Sequence, residues 1–336
     1  MLCLSPEITD PFYNLAVEEI LLKNSQDEFL ILGINDSSVI IGKHQVAHRE
    51  ADTRFVTANG IPLIRRISGG GTVYHDPGNL NFTFILNSEK GRQVDFRKYT
   101  LPVINFLASS GVDAKFEGKN DLKVDGFKIS GNAEHVYRNR VLHHGTLLFD
   151  SDLNMLRGSL RKDTGQYITR AVSSNPSKVS NLKTILKDSL KDSLKDSLKD
   201  LFSTQAVSPG SVHGFRSLML EWFFENYQGI EMYELSVSQK KMAEELALTK
   251  YRTWEWNYAY GPEYYFINSF DINGSNCSCR LYVKEGIITE CEIKGFKGAD
   301  ALCSSLKGLR HMVKDVDDLI NNETMIEPGL DAFNFF

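Results

Sequence analysis

Arg65-Arg66-Ile67-Ser68-Gly69-Gly70-Gly71-Thr72-Val73-Tyr74-His75-Asp76 packs cationic, hydroxyl and side-chain-free positions into one short stretch. Ile61, Leu63 and Ile64 before the glycines, and Thr72, Val73 and Tyr74 after them, predict a strand on each side. Successive glycines in a strand-forming run cost conformational entropy. That cost is explained where a ligand must come close to bare backbone, because amides without Cβ neighbours can turn inward and cradle an anion. Arg65 and Arg66 add forked donors suited to phosphate or carboxylate. The segment reads as an anion-binding loop on a β scaffold; a plain glycine bulge is the other reading. Its spacing fits neither G-x-x-x-x-G-K-[ST] nor G-x-G-x-x-G.

Asn120 to Ala133 supplies a second group. Asp125-Gly126 is a two-residue turn signal. On the outgoing strand, alternation puts Phe127 and Ile129 on one face, Lys128 and Ser130 on the other. If the first face is core, Lys128 stands on a rigid polar face and can carry its charge to a phosphate or carboxylate. The alternative is an ordinary solvated lysine. His143-His144-Gly145-Thr146 opens a further strand. Adjacent strand residues point to opposite faces, so the two histidines do not share one metal ion. Cys277, Cys279, Cys291 and Cys303 lack the C-x₂₋₄-C spacing of a zinc site. Metal ligands are not readable here.

These groups need elements to hold them. Asp10-Pro11 opens a helix with Phe12, Leu15, Ala16, Ile20 and Leu21 toward a core. Strands are predicted over 29–34, 38–42, 62–67, 72–75 and 80–86, a helix over 96–110, and β structure over 114–148. Regular strand–helix alternation is missing, so the class is α+β. Two amphipathic helices follow, over 215–226 and 238–250. Beyond Lys250 aromatics crowd together, then come strands at 264–271, 278–284 and 286–294, and one helix from Ala299 to about Asn322. A domain boundary is placed near 246, giving domains 1–245 and 246–336. Residues 186–201 repeat Leu-Lys-Asp-Ser every four positions. That period drifts about 40° per repeat against an α-helical turn, which suits a solvated, partly helical spacer better than a partner-binding helix.

The 336 residues, 42% of them hydrophobic, can build a sizeable core. A net charge of −5 offers no broad basic field for nucleic acid. The five cysteines form no disulfide framework, no apolar run is long enough to span a membrane, and Met1–Leu4 carries no basic flank. A cytoplasmic protein is expected.

Taken together, these segments resemble the lipoate–protein ligase family, of the A type with a C-terminal accessory domain. The resemblance is carried by Asn14-Leu15-Ala16 with Glu18-Glu19, Ile41-Gly42-Lys43 with Gln45, and Arg65-Arg66-x-Ser68-Gly69-Gly70-Gly71-x-Val73-x-His75-Asp76. It continues through Gly78-Asn79, Asn120-Asp121-Leu122, Lys128-x-Ser130-Gly131-x-Ala133, His143-His144-Gly145-Thr146-Leu147-Leu148 and Val179-x-Asn181-Leu182. Trp254-Glu255-Trp256-Asn257 resembles the start of the accessory domain. The match covers nearly the whole chain in order, except the 186–201 repeat, which looks like an insertion.

The resemblance implies the α+β catalytic domain shared with biotin ligases, a mixed sheet with flanking helices, plus a small α+β accessory domain. It implies two steps. Lipoate and ATP give lipoyl-adenylate and pyrophosphate; the acyl group then passes to a lysine of a lipoyl domain, as in 2-oxoacid dehydrogenases or the glycine-cleavage H protein. Mg²⁺ is expected with ATP. Lys128 is the expected catalytic residue, bridging carboxylate and phosphate. Arg66, Gly71, Thr72, Val73, Tyr74 and Lys128 are the expected nucleotide and adenylate contacts. Gly70, His75, His144 and Lys128 are expected to bind lipoate. Arg65, Ser68 and Asp121 are weaker candidates. An apolar pocket near Val73 and Phe82 suits the acyl chain. A general base is not assigned; His75 and His144 are the candidates considered.

Rival readings are an octanoyl or lipoyl transferase on the same fold that does not use ATP, a biotin ligase, and a non-catalytic lipoate-binding relative. A thioester route needs a cysteine nucleophile, and none stands between Cys3 and Cys277. The biotin ligase arginine–glycine loop differs from the pattern here.

Overall fold

The computed structural model describes residues 1–88, 94–186, 210–322 and 329–336. The repeat read over 186–201 lies, past its first residue, outside the described residues.

The frame of the molecule is a mixed eight-stranded sheet. In spatial order its strands are Glu231–Met232, Leu2–Leu4, Phe29–Ile34, Asn79–Asn87, Arg140–Leu148, Phe127–Tyr137, Asp121–Val124 and Lys115–Glu117. Phe29–Ile34 is apolar without interruption because both of its faces are covered. Leu30, Leu32 and Ile34 enter one core with helices Phe96–Ser109 and Val212–Asn226. Phe29 and Ile31 enter the other with helices Pro11–Asn24 and Val237–Leu246. Met1–Leu4, for which no element was expected, supplies an inner strand paired parallel to Phe29–Ile34.

A three-stranded sheet, Leu63–Arg65, Ser38–Ile41 and Val73–His75, carries the glycine turn between its first and last strands. Asp10 caps helix Pro11–Asn24 by accepting from Phe12 N at 3.0 Å, with Pro11 in the first turn. Asp125 and Gly126 both take positive φ, 49° and 78°, as a two-residue hairpin turn requires. Ile129 is buried in the core, but Phe127 is 44% exposed, so the first face of this strand is not core throughout. Phe127 sits at the hairpin tip, beyond the core's edge, next to a register shift between Leu122 and Lys123.

The C-terminal part forms a separate core on a four-stranded sheet, Tyr167–Ile168, Tyr264–Ile272, Ser275–Lys284 and Ile287–Lys294. Its edge strand comes from the first half of the chain. Helix Val237–Leu246 runs on into wider helical turns to Tyr251, and Ala247 and Tyr251 join the core around helix Pro11–Asn24. The single helix expected from Ala299 to Asn322 is two, Ala299–Leu306 and Val313–Asn322. Gly308 breaks it with φ +86°, donating to Ile288 O while Leu309 O accepts from Ile288 N. Among the described residues no helix is long and apolar enough to cross a membrane.

Candidate active site

Helix Pro11–Asn24, the large sheet and the glycine-turn sheet enclose a cavity of about 500 Å³. Arg66, Gly70, Gly71, Thr72 and Val73 reach its wall from the glycine turn, and His75 from the strand that follows. Asp121 and Lys128 reach it from the hairpin, and His144 from the neighbouring strand. Residues scattered over 79 positions of sequence thus share one hollow.

Lys128 stands at a junction. Its Nζ is 2.8 Å from Asp121 Oδ1. A Cβ placed on Gly131 would lie 3.1 Å from Lys128 Nζ and 3.8 Å from Val73 Cγ1. Glycine at 131 therefore lets the lysine fold toward the strand behind the glycine turn. The lysine's backbone is fixed on both sides, donating to Lys178 O at 2.8 Å and accepting from Ser180 N at 3.1 Å. Asn181 ties that strap to Ser151 through two hydrogen bonds of 2.9 and 3.1 Å.

Arg66 holds the turn itself. Its guanidinium donates to Ile40 O at 3.0 Å, Gly69 O at 2.6 Å and Gly71 O at 2.7 Å. Burial brings it down to about 10, with Glu18 opposing, so it remains a cation at neutral pH. Its Nε donates to Ser68 Oγ at 2.9 Å, and Ser68 Oγ lies 2.7 Å from His144 Nε2. His144 Nδ1 lies 3.0 Å from Glu18 Oε2, and Thr83 donates to the other oxygen of Glu18. The network assigns each proton: the Ser68 hydroxyl donates to Nε2, and Nδ1–H donates to Glu18.

A second chain approaches from the other side. Asn14 Nδ2 donates to Asn35 Oδ1 at 2.7 Å, which orients Asn35 Nδ2 toward His75 Nδ1 at 2.9 Å. Burial first, then His144 and Arg66, pushes the His75 imidazole down to about 3. The ring is neutral, and its one lone-pair nitrogen already accepts from Asn35. His144 likewise has its acceptor nitrogen occupied by Ser68. Neither histidine offers a free basic nitrogen, so neither is assigned as general base.

Three sequence expectations change here. Arg65 is fully buried away from the cavity. It donates to Gln45 O at 2.7 Å, Lys43 O at 3.0 Å, Trp256 O at 3.0 Å and Asn257 O at 2.8 Å. It clamps the Trp254–Asn257 segment onto the glycine-turn sheet, because adjacent residues on a strand face opposite ways. Tyr74 alternates away for the same reason and donates to Ser37 Oγ at 3.3 Å within a core, and it does not line the cavity. Phe82 is buried in the opposite core; its neighbours Asn81 and Thr83 line the cavity with Val73.

Sequence reasoning assigned no role to Glu18, Asn35, Gln45, Glu50 or Ser174. Ser174 Oγ accepts from the Thr72 amide at 2.8 Å, so one expected anion donor is engaged. Glu18 and Gln45 lay inside motifs but carried no signal separating a buried carboxylate or amide from an exposed one.

Residues 10–203 match the family model described as "Lipoyl protein ligase A/B catalytic domain". The chain belongs to this family. It is 33% identical over 320 residues to Lipoate--protein ligase 1 of Staphylococcus aureus (strain Mu50 / ATCC 700699), covering 94% of this chain and 91% of that relative. A putative lipoate protein ligase from T. acidophilum, solved with bound lipoic acid, is similar at 27% identity with a TM-score of 0.59, covering 76% of this chain and 98% of its own. A lipoate-protein ligase A solved with ATP is similar at 28% identity with a TM-score of 0.58, covering 76% and 97%. The α+β class and the ligase assignment both stand.

Proposed function

We propose that the cavity activates lipoate as lipoyl-AMP and that the chain then passes the acyl group to a lysine of a lipoyl domain. Its activity is the ATP-dependent ligation of lipoate to protein, supported by family membership and by neighbours that bind lipoic acid and ATP. The observation that carries the residue assignment is the approach of Lys128 Nζ and Val73 to the same bare glycine, Gly131, on the cavity wall.

In the first step a lipoate carboxylate oxygen attacks the α-phosphorus, the bond to the bridging oxygen breaks, and pyrophosphate leaves with the electron pair. Two anions must meet, so cations aimed at the developing charge lower the barrier. Lys128 bridges carboxylate and α-phosphate; Arg66 fixes Gly69 and Gly71 so that the turn's backbone meets the phosphates. Gly70, His75 and His144 border the lipoate, and Ser68 acts through His144. Among the described residues no group of three or more His, Cys, Asp or Glu side chains could hold a metal ion. Mg²⁺ bound to ATP oxygens needs only one or two carboxylates from the protein, and Asp121, on the cavity wall, would supply one. In the second step the acceptor amine attacks the acyl carbon, the bond to the phosphate oxygen breaks, AMP leaves and the amine loses a proton. Residues 1–245 carry this chemistry and 246–336 act as the accessory domain, in a cytoplasmic enzyme.

Incubation with ATP, Mg²⁺, lipoate and an apo lipoyl domain should raise the acceptor's mass by one lipoyl group, and only with ATP. Modification without ATP would instead establish a transferase.

A further inference from the structure

The nucleotide assignment above leaves one cluster unused. Ser174 Oγ accepts from Thr72 N at 2.8 Å and from Gln45 Nε2 at 3.1 Å, and donates to Glu50 Oε2. Its hydrogen-bonding capacity is full. Glu50 Oε2 also accepts from Ser174 N and from Thr72 Oγ1, each at 3.3 Å. Gln45 Oε1 accepts from Gly42 N at 2.7 Å and, at 3.0 Å, shares with Glu50 the single Thr72 hydroxyl proton. Glu50 is 4% exposed, and its Oε1 is buried without a partner. A buried carboxylate is costly, and this one spends its contacts on a serine and a threonine at the glycine turn. The segment it holds lies at the surface: Val172 is 45% exposed, and Ser173 and Asn175 are exposed too.

The hydroxyl oxygen sits where an anion oxygen would accept from the first amide after the glycines; N–H to phosphate bonds have the same length. A Cβ on Gly71 would lie 3.1 Å from Ser174 Oγ, so the serine rests directly on the turn. We propose that Glu50 is a positioning residue for nucleotide binding: it holds the Ser174 hydroxyl on the Thr72 amide, and a phosphate oxygen reaches that amide only by displacing it. Affinity for ATP is then set below what the turn alone would give. The inference rests on the proposed function for the identity of the nucleotide.

The test is the dissociation constant for ATP, by calorimetry on the full chain. Ser174→Ala should bind ATP roughly fivefold more tightly, the ratio one net hydrogen bond is worth. Glu50→Gln should tighten binding less, since an amide oxygen still accepts from the hydroxyl. Ser174→Thr, which keeps the hydroxyl, should return to the parent value. A merely structural role would weaken binding in the first two variants. Unchanged or weaker binding in Ser174→Ala, with the circular dichroism of the parent, overturns the proposal. Failure of the parent to release pyrophosphate from ATP and lipoate would instead overturn the proposed function, independently of the ratios.

Discussion

The wall of the cavity and the seam between the N-terminal and C-terminal cores are both rich in buried polar groups, yet they do opposite things. At the seam the chain supplies partners for the buried histidines and arginine, while Tyr167 Oη and Trp254 Nε1 are buried without one. His311 Nε2 meets Phe335 O at 2.6 Å, its Nδ1 meets the Tyr264 hydroxyl at 2.6 Å, and its carbonyl accepts from His48 Nε2 at 2.8 Å. Arg65 is saturated by carbonyls in the same way. At the cavity, polar groups converge on open space: the Lys128 ammonium spends a donor on Asp121, and Asn14 Oδ1 is buried with no partner. A satisfied buried polar group holds a fold together. A group with capacity left over, facing a hollow, can bind.

That contrast is open to experiment. Lys128→Ala should cut lipoyl-AMP formation by about 10²-fold or more, read as pyrophosphate release, while unfolding stays near the parent. A near-parental rate would move the chemistry away from the hairpin. The arginine pair should separate next. Arg65→Ala should lower the unfolding free energy by about 3 kcal/mol or more, in urea, because it orphans buried carbonyls. Arg66→Lys keeps a cation but loses the fork on Gly69 and Gly71, and should raise the KM for ATP about tenfold with a smaller stability loss. Identical profiles for the two would erase the distinction between seam and wall.

The smallest effect concerns pH. Burial lowers His311 from 6.5 to about 4, despite the Phe335 carbonyl. The unfolded state then binds more protons between those values, so stability is full above about 6.5 and falls as pH drops to about 4. A slope of about 1 kcal/mol per pH unit is expected from this histidine, read from urea midpoints. His311→Gln should lessen the slope by that share, with His75 and His135, lowered by burial to about 3 and about 4, supplying a remainder; an undiminished slope would place the titration elsewhere.

Helix starts, the Asp125-Gly126 hairpin and the strand around the glycines were legible because caps, turns and period-two alternation are local. The strand at Leu2–Leu4 was not, since three residues show no period and gain their partners only from Phe29–Ile34 and Glu231–Met232. The break at Gly308 was hidden because apolar residues kept a helical spacing on both sides of it. At the site, Lys128 and His144 could be singled out by position, while Glu50 could not: a buried carboxylate and a solvated one are the same letter.

The amino-acid order alone determined the bare glycine turn, the lysine on a rigid hairpin and the opposed faces of His143 and His144, because each follows from geometry within a few residues. Tertiary structure decided which polar groups were used up. Arg65 and Arg66 are chemically identical neighbours; alternation turns them to opposite sides, and Arg65 became part of the scaffold because Gln45 and Asn257, 20 and 192 residues away, supply its acceptors. Hydrogen-bond satisfaction depends on atoms brought from distant segments, and no local pattern contains that information.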